Sequence, residues 1–284
     1  MRLILLGAEG MFGRDAAPAL REAGFEVIPG DLPAVDIADE GSLKAFLDDH
    51  RADVILNAAA YTNVDGAESE RRQAFRVNGE GPRLLAEECG ERRTVLVHLS
   101  TDYVFPGAKA EGYAPDDAPG PAANAYGASK LAGEEAIRAI LPPDRFLICR
   151  TQWLYGRHGR NFVDTMAGLL RERNEVRVVN DQWGAPTCTI DLAKQVAALL
   201  AAGARGHAHT VGGGGPVTWY DLALEIARLT RSAARVIPCT SAEFPRPARR
   251  PAHAWLRNTS VPESAVRPWR RALAEHLEGD PRAG

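Results

Sequence analysis

The segment YGASK contains a tyrosine and a lysine whose spacing suits acid–base chemistry. Tyr126 and Lys130 are four residues apart in a predicted helix, so their side chains share one helix face. A free tyrosine has a pKa of about 10, and a neighbouring ammonium favours its phenolate form. Tyr126 is therefore a candidate acid or base near neutral pH. An exposed helical Tyr–Lys pair is the alternative, and the pair alone does not decide between them.

The segment LSTDYVF adds hydroxyl groups that could act on a carbonyl. Ser100 and Thr101 come at the end of a predicted strand that begins at Val95. A hydroxyl at the carboxyl edge of a parallel sheet can donate a hydrogen bond to a substrate carbonyl, and we assign this role to Thr101. A lone threonine could instead satisfy local backbone groups. That alternative is weaker beside Tyr126 and Lys130.

Three glycines in LLGAEGMFG could hold a phosphate. They follow an apolar strand at 2–6 and precede a predicted helix at 12–23. Gly7 permits a tight turn, Gly10 lets backbone approach a pyrophosphate, and Gly13 lets the helix pack on the strand. Unpaired N–H groups at the helix N-terminus attract phosphate. The spacing differs from the common G-x-G-x-x-G fingerprint, so a glycine-rich turn that binds nothing is the alternative.

Strands and helices that alternate along the first half of the chain must position these residues. Strands are predicted at 2–6, 25–29, 53–59, 95–100 and 146–150, and helices at 12–23, 41–50, 71–90 and 126–140. Such alternation implies parallel strands joined by right-handed crossovers, with helices on both faces. The sequence therefore predicts an α/β fold with a doubly wound, Rossmann-like parallel sheet whose carboxyl edge gathers the three motifs.

The second half differs, because aromatic and proline-bearing segments interrupt helices predicted at 162–173, 190–201 and 219–231. We interpret it as a smaller, substrate-binding lobe. The predicted division is a cofactor-binding domain of residues 1–155, completed by parts of 186–215, and a lobe of residues 156–284.

Composition limits the classes of partner. The chain has 284 residues, a formal net charge of -3 and a pI of about 6.2, unlike a basic nucleic-acid binder. No apolar run approaches the roughly 20 residues of a membrane span. Four cysteines lie far apart without zinc-site spacing, so they are expected to be reduced, buried thiols. We expect a cytoplasmic protein that acts on small molecules.

Taken together, the motifs resemble the extended short-chain dehydrogenase/reductases and, within them, the dTDP-4-dehydrorhamnose reductase family. The resemblance is carried, in chain order, by GAEGMFG, NAAAYTNVDGAE from Asn57, STDYVFPG, YGASKLAGE, RTQWLYG from Arg150, GRNFVDTM from Gly159, NDQWGAPT from Asn180 and RRPAHAWL from Arg249. STDYVFPG and DQWGAPT distinguish this family from its relatives.

The resemblance implies a nicotinamide cofactor and a dTDP-sugar substrate. It places at the cofactor the residues Gly7, Gly10, Met11, Phe12 and Gly13 (pyrophosphate), Asp36 and Ile37 (adenine side), Ala58, Ala59 and Ala60 (nicotinamide ribose), and Ser100, Tyr126 and Lys130. It places at the substrate the residues Thr62, Val64, Thr101, Asp102, Tyr103 and Trp153, and, for the nucleotide diphosphate, Asn161, Gln182 and Arg250. Tyr103 and Trp153 could instead be core aromatics, Asn161 a helix cap and Arg250 a solvated charge.

The implied reaction is hydride transfer from the reduced nicotinamide to the C4 keto carbon of a dTDP-linked 6-deoxy-4-ketohexose. Thr101, Tyr126 and Lys130 are the implied catalytic residues, with Tyr126 as the proton donor. Asp31 follows the second strand, where a carboxylate can accept hydrogen bonds from the adenosine ribose hydroxyls. No Arg or Lys stands between Gly30 and Glu40, so we expect NADH to be favoured over NADPH, with the distant Arg14 as a competing phosphate partner.

Some family members form dimers through acidic residues that hold magnesium. Asp15 matches one such position, but Ile190 occupies another, where a carboxylate ligand would be needed. The sequence allows a homodimer and argues against a metal bridge or another bound metal. Ala254 also stands where the family usually has a serine.

Two other functions stay open on the same fold. One is a cofactor-binding regulatory subunit like that of methionine adenosyltransferase. The other is a different nucleotide-sugar reductase, epimerase or dehydratase.

Overall fold

The computed structural model describes residues 1–279, so the last five residues of the predicted lobe, 280–284, lie outside the described part. The β-strands are β1 Arg2–Leu6, β2 Glu26–Gly30, β3 Val54–Asn57, β4 Val95–Thr101, β5 Phe146–Thr151, β6 Leu154–Tyr155, β7 Glu175–Val179, β8 Trp183–Gly184, β9 Thr187–Cys188, β10 Gly206–His209, β11 Val217–Thr218 and β12 Arg235–Cys239. The α-helices are α1 Met11–Glu22, α2 Glu40–Asp49, α3 Gly66–Ser69, α4 Arg71–Phe75, α5 Gly81–Arg92, α6 Ala125–Ile140, α7 Phe162–Glu172, α8 Thr189–Ala201, α9 Trp219–Leu229 and α10 Trp269–Glu278.

Six parallel strands form the central sheet in the order β10-β5-β4-β3-β1-β2. Strands such as β1 and β4 are nearly continuous apolar runs because helices cover both faces of the sheet. The strand order reverses beside β1, as in doubly wound sheets. The predicted fold class is confirmed. β10, which the sequence analysis did not predict, supplies the sixth strand after the chain has passed through α7 and α8.

The two faces of the sheet bury separate hydrophobic cores. Leu3 and Leu5 of β1 face α1 and α8, whereas Ile4 and Leu6 face the layer that contains α2, α5 and α6. Successive strand residues point to opposite faces, so one short strand serves both cores. Because helices cover both faces of the sheet, a ligand can reach side chains of the sheet only at its edges, and we expect it at the carboxyl edge.

The C-terminal part has a core of its own among α7, α9 and α10, in which Trp269 is 1% exposed. Short strand pairs support it: β7 with β12 and β6 with β9 in parallel, and β8 with β11 antiparallel. Helix α10 was not predicted from the sequence.

The helix predicted at 71–90 is interrupted. A π-helical segment, Arg76–Glu80, separates α4 from α5. Buried Asn78 lies in this segment and exchanges hydrogen bonds with the backbone of Tyr61, at 2.8 and 2.9 Å, while donating to the Ser129 hydroxyl at 3.0 Å. The wider π-helical turn directs the Asn78 amide towards α6. Regular helical spacing did not predict this direction.

All four cysteines are buried free thiols, as expected. Within residues 1–279, no helix combines the length and the apolar character that crossing a membrane requires.

Candidate active site

The carboxyl ends of the sheet strands open into a cavity of about 1150 Å³. Twenty of the residues that the sequence analysis singled out line it: Gly7, Gly10, Met11, Phe12, Gly13, Asp31, Asp36, Ile37, Ala58, Ala59, Ala60, Thr62, Val64, Ser100, Thr101, Asp102, Tyr103, Tyr126, Lys130 and Trp153. The structure therefore brings together the glycine turn, the hydroxyl group and the Tyr–Lys pair. Their individual roles stay predictions.

The glycine turn has the close approaches that only glycine allows. Gly7 has a φ of +79°, and a Cβ there would lie 2.6 Å from the backbone N of Ala59. A Cβ on Gly13 would lie 2.2 Å from the carbonyl oxygen of Gly7. Gly10 caps α1 without a side-chain hydrogen bond, so the first N–H groups of the helix stay available. This cradle fits the pyrophosphate of a dinucleotide cofactor.

The Tyr–Lys pair lies in the first two turns of α6. This helix begins where the Asn124 side chain accepts a hydrogen bond from the backbone N–H of Gly127 at 2.8 Å. Loss of water around its hydroxyl and the nearby Asp102 carboxylate raise the pKa of Tyr126, so the phenol keeps its proton. Burial lowers the pKa of Lys130 to about 8. The pair thus combines a proton-holding phenol with a lysine that titrates near neutral pH.

The Thr101 hydroxyl is hydrogen-bonded to its neighbour Asp102, which also lines the cavity. Its Oγ1 donates to Oδ1 of Asp102 at 2.9 Å and accepts from the backbone N–H of Tyr103 at 3.3 Å. Asp102 is 3% exposed, and burial raises the pKa of its carboxyl to about 7. The Gln152 amide donates to the other carboxyl oxygen at 3.3 Å. The Thr101 hydroxyl must therefore turn about its Cβ–Oγ1 bond, away from Asp102, before it can donate to a substrate carbonyl.

Trp153 joins the cavity to the C-terminal core. Its ring stacks on Trp219 with centroids 3.6 Å apart, and a Cβ on Gly184 would lie 2.2 Å from that ring. The backbone of Trp153 has a φ of +49°, which is uncommon for a bulky residue. Such strain is typical of functional positions, since the surrounding structure must hold it.

Two predicted diphosphate contacts do not line the cavity. Gln182 donates to the Ser241 hydroxyl at 2.8 Å and accepts from the Trp219 indole N–H at 3.2 Å. Asn161 is the N-cap of α7, since its Oδ1 accepts from the backbone N–H of Asp164 at 3.0 Å. Asn161 therefore occupies the helix-cap position that was the alternative to a substrate contact. The side-chain amides of both Asn161 and Gln182 are hydrogen-bonded within the C-terminal lobe.

Arg250, the third predicted diphosphate contact, is also outside the cavity lining. Its guanidinium lies 3.0 Å from a carboxylate oxygen of Asp65 and 5.9 Å from the centroid of the Tyr103 ring. It is therefore a paired, largely buried charge and not a solvated one.

The end of the cavity that contains Asp31 and Asp36 also contains a cation that was not predicted from the sequence. Arg76 lines this end and lies 2.8 Å from a carboxylate oxygen of Asp36. Asp31 accepts backbone N–H groups on both carboxylate oxygens, including that of Glu9 at 2.8 Å. Arg14, the cation considered from the sequence, pairs with the Glu9 side chain at 2.8 Å instead. Nothing in a regular helical pattern indicates that Arg76 faces the cavity.

Arg160, on the loop before α7, is the other cation missed. Together with Arg76 and Lys130 it completes the set of Arg and Lys side chains that line the cavity within residues 1–279.

Asp15 is buried against α8, where it accepts a hydrogen bond from the Thr189 hydroxyl, and His158 lies 3.6 Å away. In the described part of the chain, no group of three His, Cys, Asp or Glu side chains could hold a metal ion.

A doubly wound sheet, a glycine turn at the N-terminus of α1 and a Tyr–Lys pair on α6 define the class of short-chain dehydrogenases/reductases. The family model described as RmlD substrate binding domain matches residues 1–280, and the chain belongs to this family.

Relatives of known name cover nearly the whole chain. The dTDP-4-keto-6-deoxy-D-glucose reductase of Streptomyces niveus is 42% identical over 278 residues, which are 96% of this chain and 96% of the relative. The dTDP-4-dehydrorhamnose reductase of Streptomyces griseus is 43% identical over 283 residues, covering 96% and 92%. The crystal structure of dTDP-4-dehydrorhamnose reductase from Bacillus anthracis in complex with NADP is 33% identical, with a TM-score of 0.92 and coverage of 98% and 99%.

Proposed function

We propose that this chain is an NAD(P)H-dependent reductase that acts on the C4 keto group of a dTDP-4-dehydro-6-deoxyhexose, converting dTDP-4-dehydrorhamnose to dTDP-rhamnose. The observation that carries the proposal is the position of Tyr126, Lys130 and Thr101 in the same cavity as the glycine cradle. The names of its relatives support the reaction class and the nucleotide sugar.

Tyr126 is the general acid of the proposed reaction. Reduction of a ketone leaves an alkoxide that needs a proton, and the raised pKa of Tyr126 keeps that proton on the phenol until the alkoxide forms. When bound, the reduced nicotinamide supplies the hydride. Lys130 donates to the Leu99 carbonyl at 2.7 Å, which holds its amine in the cavity wall beside Tyr126. Once the Thr101 hydroxyl no longer donates to Asp102, it donates a hydrogen bond to the substrate carbonyl and orients it.

The substrate is proposed to lie between Tyr126 and the C-terminal lobe. Thr62, Val64, Tyr103 and Trp153 provide a mixed polar and aromatic wall suited to a sugar. Arg250 is the proposed diphosphate partner, and it reaches a phosphate by exchanging its contact with Asp65. Asn161 and Gln182 would have to exchange lobe partners in the same way.

NADH is proposed as the favoured cofactor. The Asp31 carboxylate at the adenosine end would repel a 2′-phosphate and can accept ribose hydroxyls. Arg76 acts in the opposite direction, because it could leave Asp36 for the phosphate, so the preference is expected to be small. The proposed enzyme works in the cytoplasm without nucleic acid, membrane or metal-bridged partners.

The test incubates the purified chain with the keto-sugar nucleotide and either NADH or NADPH, and follows cofactor oxidation and the sugar product. The proposal predicts stoichiometric oxidation and a product reduced at C4, with the much slower Tyr126→Phe as the control. A regulatory subunit would oxidise no cofactor, and an epimerase or dehydratase would change the sugar without net oxidation. Either outcome would contradict the proposal.

A further inference from the structure

A buried row of three polar side chains lies behind the Tyr–Lys pair. Asn57 at the end of β3 is next to His98 of β4 in the sheet register, and His98 contacts Lys130 of α6. The three residues are 0%, 1% and 2% exposed. Asn57 and His98 have no part in the proposed reaction, yet buried polar groups must be hydrogen-bonded with compatible donors and acceptors.

The Asn57 amide fixes the tautomer of His98. Its Oδ1 accepts the backbone N–H of Ala59 at 3.1 Å, so its Nδ2, which can only donate, faces Nδ1 of His98 at 3.1 Å. Nδ1 must then accept this hydrogen bond. Burial lowers the pKa of His98 well below its usual value, and a charged Lys130 lowers it further, so the ring is neutral. With the Asn57 amide in this orientation, the ring carries its proton on Nε2.

The Nε2–H of His98 in turn constrains Lys130. Nε2 lies 3.2 Å from Nζ of Lys130, which already donates to the Leu99 carbonyl at 2.7 Å. An ammonium has no lone pair, so only the neutral amine can accept this N–H. If Lys130 is charged, His98 must move its proton to Nδ1. The Asn57 amide must then turn over and give up the N–H of Ala59.

The charged neighbour that acts on Lys130 is Glu134, whose carboxylate raises the pKa of the lysine and partly offsets burial. Glu134, one turn further along α6, is held by two contacts with Arg150 of β5, at 3.0 and 2.7 Å, and by the Ser100 hydroxyl. Tyr126, on the same helix face, is a neutral phenol because its pKa is raised. Burial already lowers the pKa of Lys130 to about 8, so a single hydrogen bond is enough to change its charge near neutral pH.

We propose that His98 is a positioning residue that, held by Asn57, donates to the neutral amine of Lys130 in the cofactor-free protein at alkaline pH. Charging of Lys130 is thereby linked to the His98 tautomer and to the backbone N–H of Ala59, which lines the cofactor end of the cavity. The hydrogen-bond chain itself does not depend on the proposed function. Only its effect on catalysis, through the charge of Lys130 beside Tyr126, rests on that function. The chain of hydrogen bonds can be tested without substrate or cofactor.

The first test records ¹⁵N-histidine spectra of the cofactor-free full chain at about pH 9.5, well above the pKa of about 8 of Lys130, with the His98 signals assigned by their loss in His98→Gln. The proposal predicts a neutral ring with the proton on Nε2. A proton on Nδ1, or a charged ring, would overturn it, whatever the enzymatic activity proves to be. This measurement uses the unmodified chain and does not depend on any variant folding.

The second test follows the titration of Lys130 by NMR of ¹³C-labelled lysine, which is practical because the chain has four lysines. Asn57→Ala frees the His98 tautomer and should raise the pKa of Lys130 by about one unit, the scale of one hydrogen bond. Asn78→Ala is the control, since it removes another buried amide that contacts α6 but does not touch His98. If Asn57→Ala lowers the Lys130 pKa, leaves it unchanged, or acts no differently from Asn78→Ala, the proposed direction of the hydrogen bonds is wrong.

Discussion

The two ends of the main cavity are built in different ways. At the cofactor end, the ligand-facing groups are backbone N–H groups held by Gly7, Gly10 and Gly13, and no side chain caps them. Next to the lobe end, the polar side chains that we propose as diphosphate contacts are held by other protein groups, as Arg250 is by Asp65. The cofactor end is therefore preorganised, whereas the lobe end must exchange protein contacts for substrate contacts.

This difference affects where binding free energy is used. A preorganised cradle loses little conformational freedom when a ligand binds. A paired arginine must first leave a carboxylate, so its phosphate contact yields only the difference between two charged interactions. We therefore expect changes at the catalytic centre and the cofactor end to have larger effects than changes at the lobe end.

The largest expected effect comes from the centre, where the two ends meet. Tyr126→Phe removes the proposed proton donor and should lower kcat by roughly 10²–10⁴-fold. Cofactor affinity should stay nearly unchanged, because the glycine cradle is intact. Steady-state kinetics and fluorescence titration with NADH measure the two quantities. A variant that turns over at the parental rate would remove Tyr126 from the mechanism.

Asp102 should make the free energy of unfolding depend on pH. Burial raises the pKa of its carboxyl from an ordinary 3.8 to about 7 in the folded chain, so the folded state binds the proton more tightly. Stability is then greatest below about pH 4 for this group and falls by roughly 1.4 kcal/mol per unit as pH rises towards 7. Urea unfolding at pH 4.5 and 6.5 should show a loss of about 3 kcal/mol that Asp102→Asn does not show. Equal pH slopes in the two proteins would contradict this assignment.

Gly13→Ala tests the preorganised end. The new Cβ would lie 2.2 Å from the carbonyl oxygen of Gly7, so the turn must move, at a cost of about 2 kcal/mol in stability. Cofactor Kd should rise at least about tenfold, because the free N–H groups lose their alignment. Gly168→Ala in α7 is the control, since its Cβ would meet no atom within 4 Å, and it should stabilise the chain by about 0.5–1 kcal/mol. Similar behaviour of the two variants would argue against a rigid cradle.

Arg250→Gln tests the lobe end. The substrate KM should rise roughly tenfold with little change in kcat, because a charged contact with the diphosphate is lost. Arg246→Gln is the matched control: Arg246 lies 3.8 Å from the same Asp65, but its side chain is 54% exposed. Equal KM values for both variants would show that Arg250 does not leave Asp65 for the substrate.

The smallest expected effect concerns the choice of cofactor. Asp31→Ala should shift the ratio of kcat/KM for NADPH over NADH upwards by roughly three- to tenfold, the scale of one hydrogen bond. Arg76→Ala should shift the ratio the other way, since it removes the cation at the same end of the cavity. If the parent strongly prefers NADPH, or if Asp31→Ala leaves the ratio unchanged, Asp31 is not the selecting residue.

The difference between the cofactor end and the lobe end also explains which site residues the sequence could predict. Alternating strands and helices indicate a parallel sheet, and the carboxyl ends of parallel strands meet at one edge. For this reason the predicted cofactor and catalytic residues all line the cavity. The contacts of Asn161, Gln182 and Arg250 depend on how irregular lobe segments pack, and no local pattern determines that packing.

Several features had a sequence signal that was not used. His98 is a single histidine in the otherwise apolar run VLVHL, which is typical of a buried polar contact. Helix α10 has buried residues at 269, 272, 273, 276 and 277, a helical spacing visible in WRRALAEHLE. The inward position of Arg76 had no such signal, because it depends on the π-helical segment before α5.

The central claim is reduction at C4 of the sugar within this cavity. The most direct measurement uses NADH deuterated at C4 of the nicotinamide and locates the label in the sugar product by NMR. The account predicts one deuterium at C4 of the product from one face of the nicotinamide, and at least roughly 100-fold less labelled product with Tyr126→Phe over the same time. Product without deuterium at C4, or deuterium that returns to the cofactor without net oxidation, would contradict it.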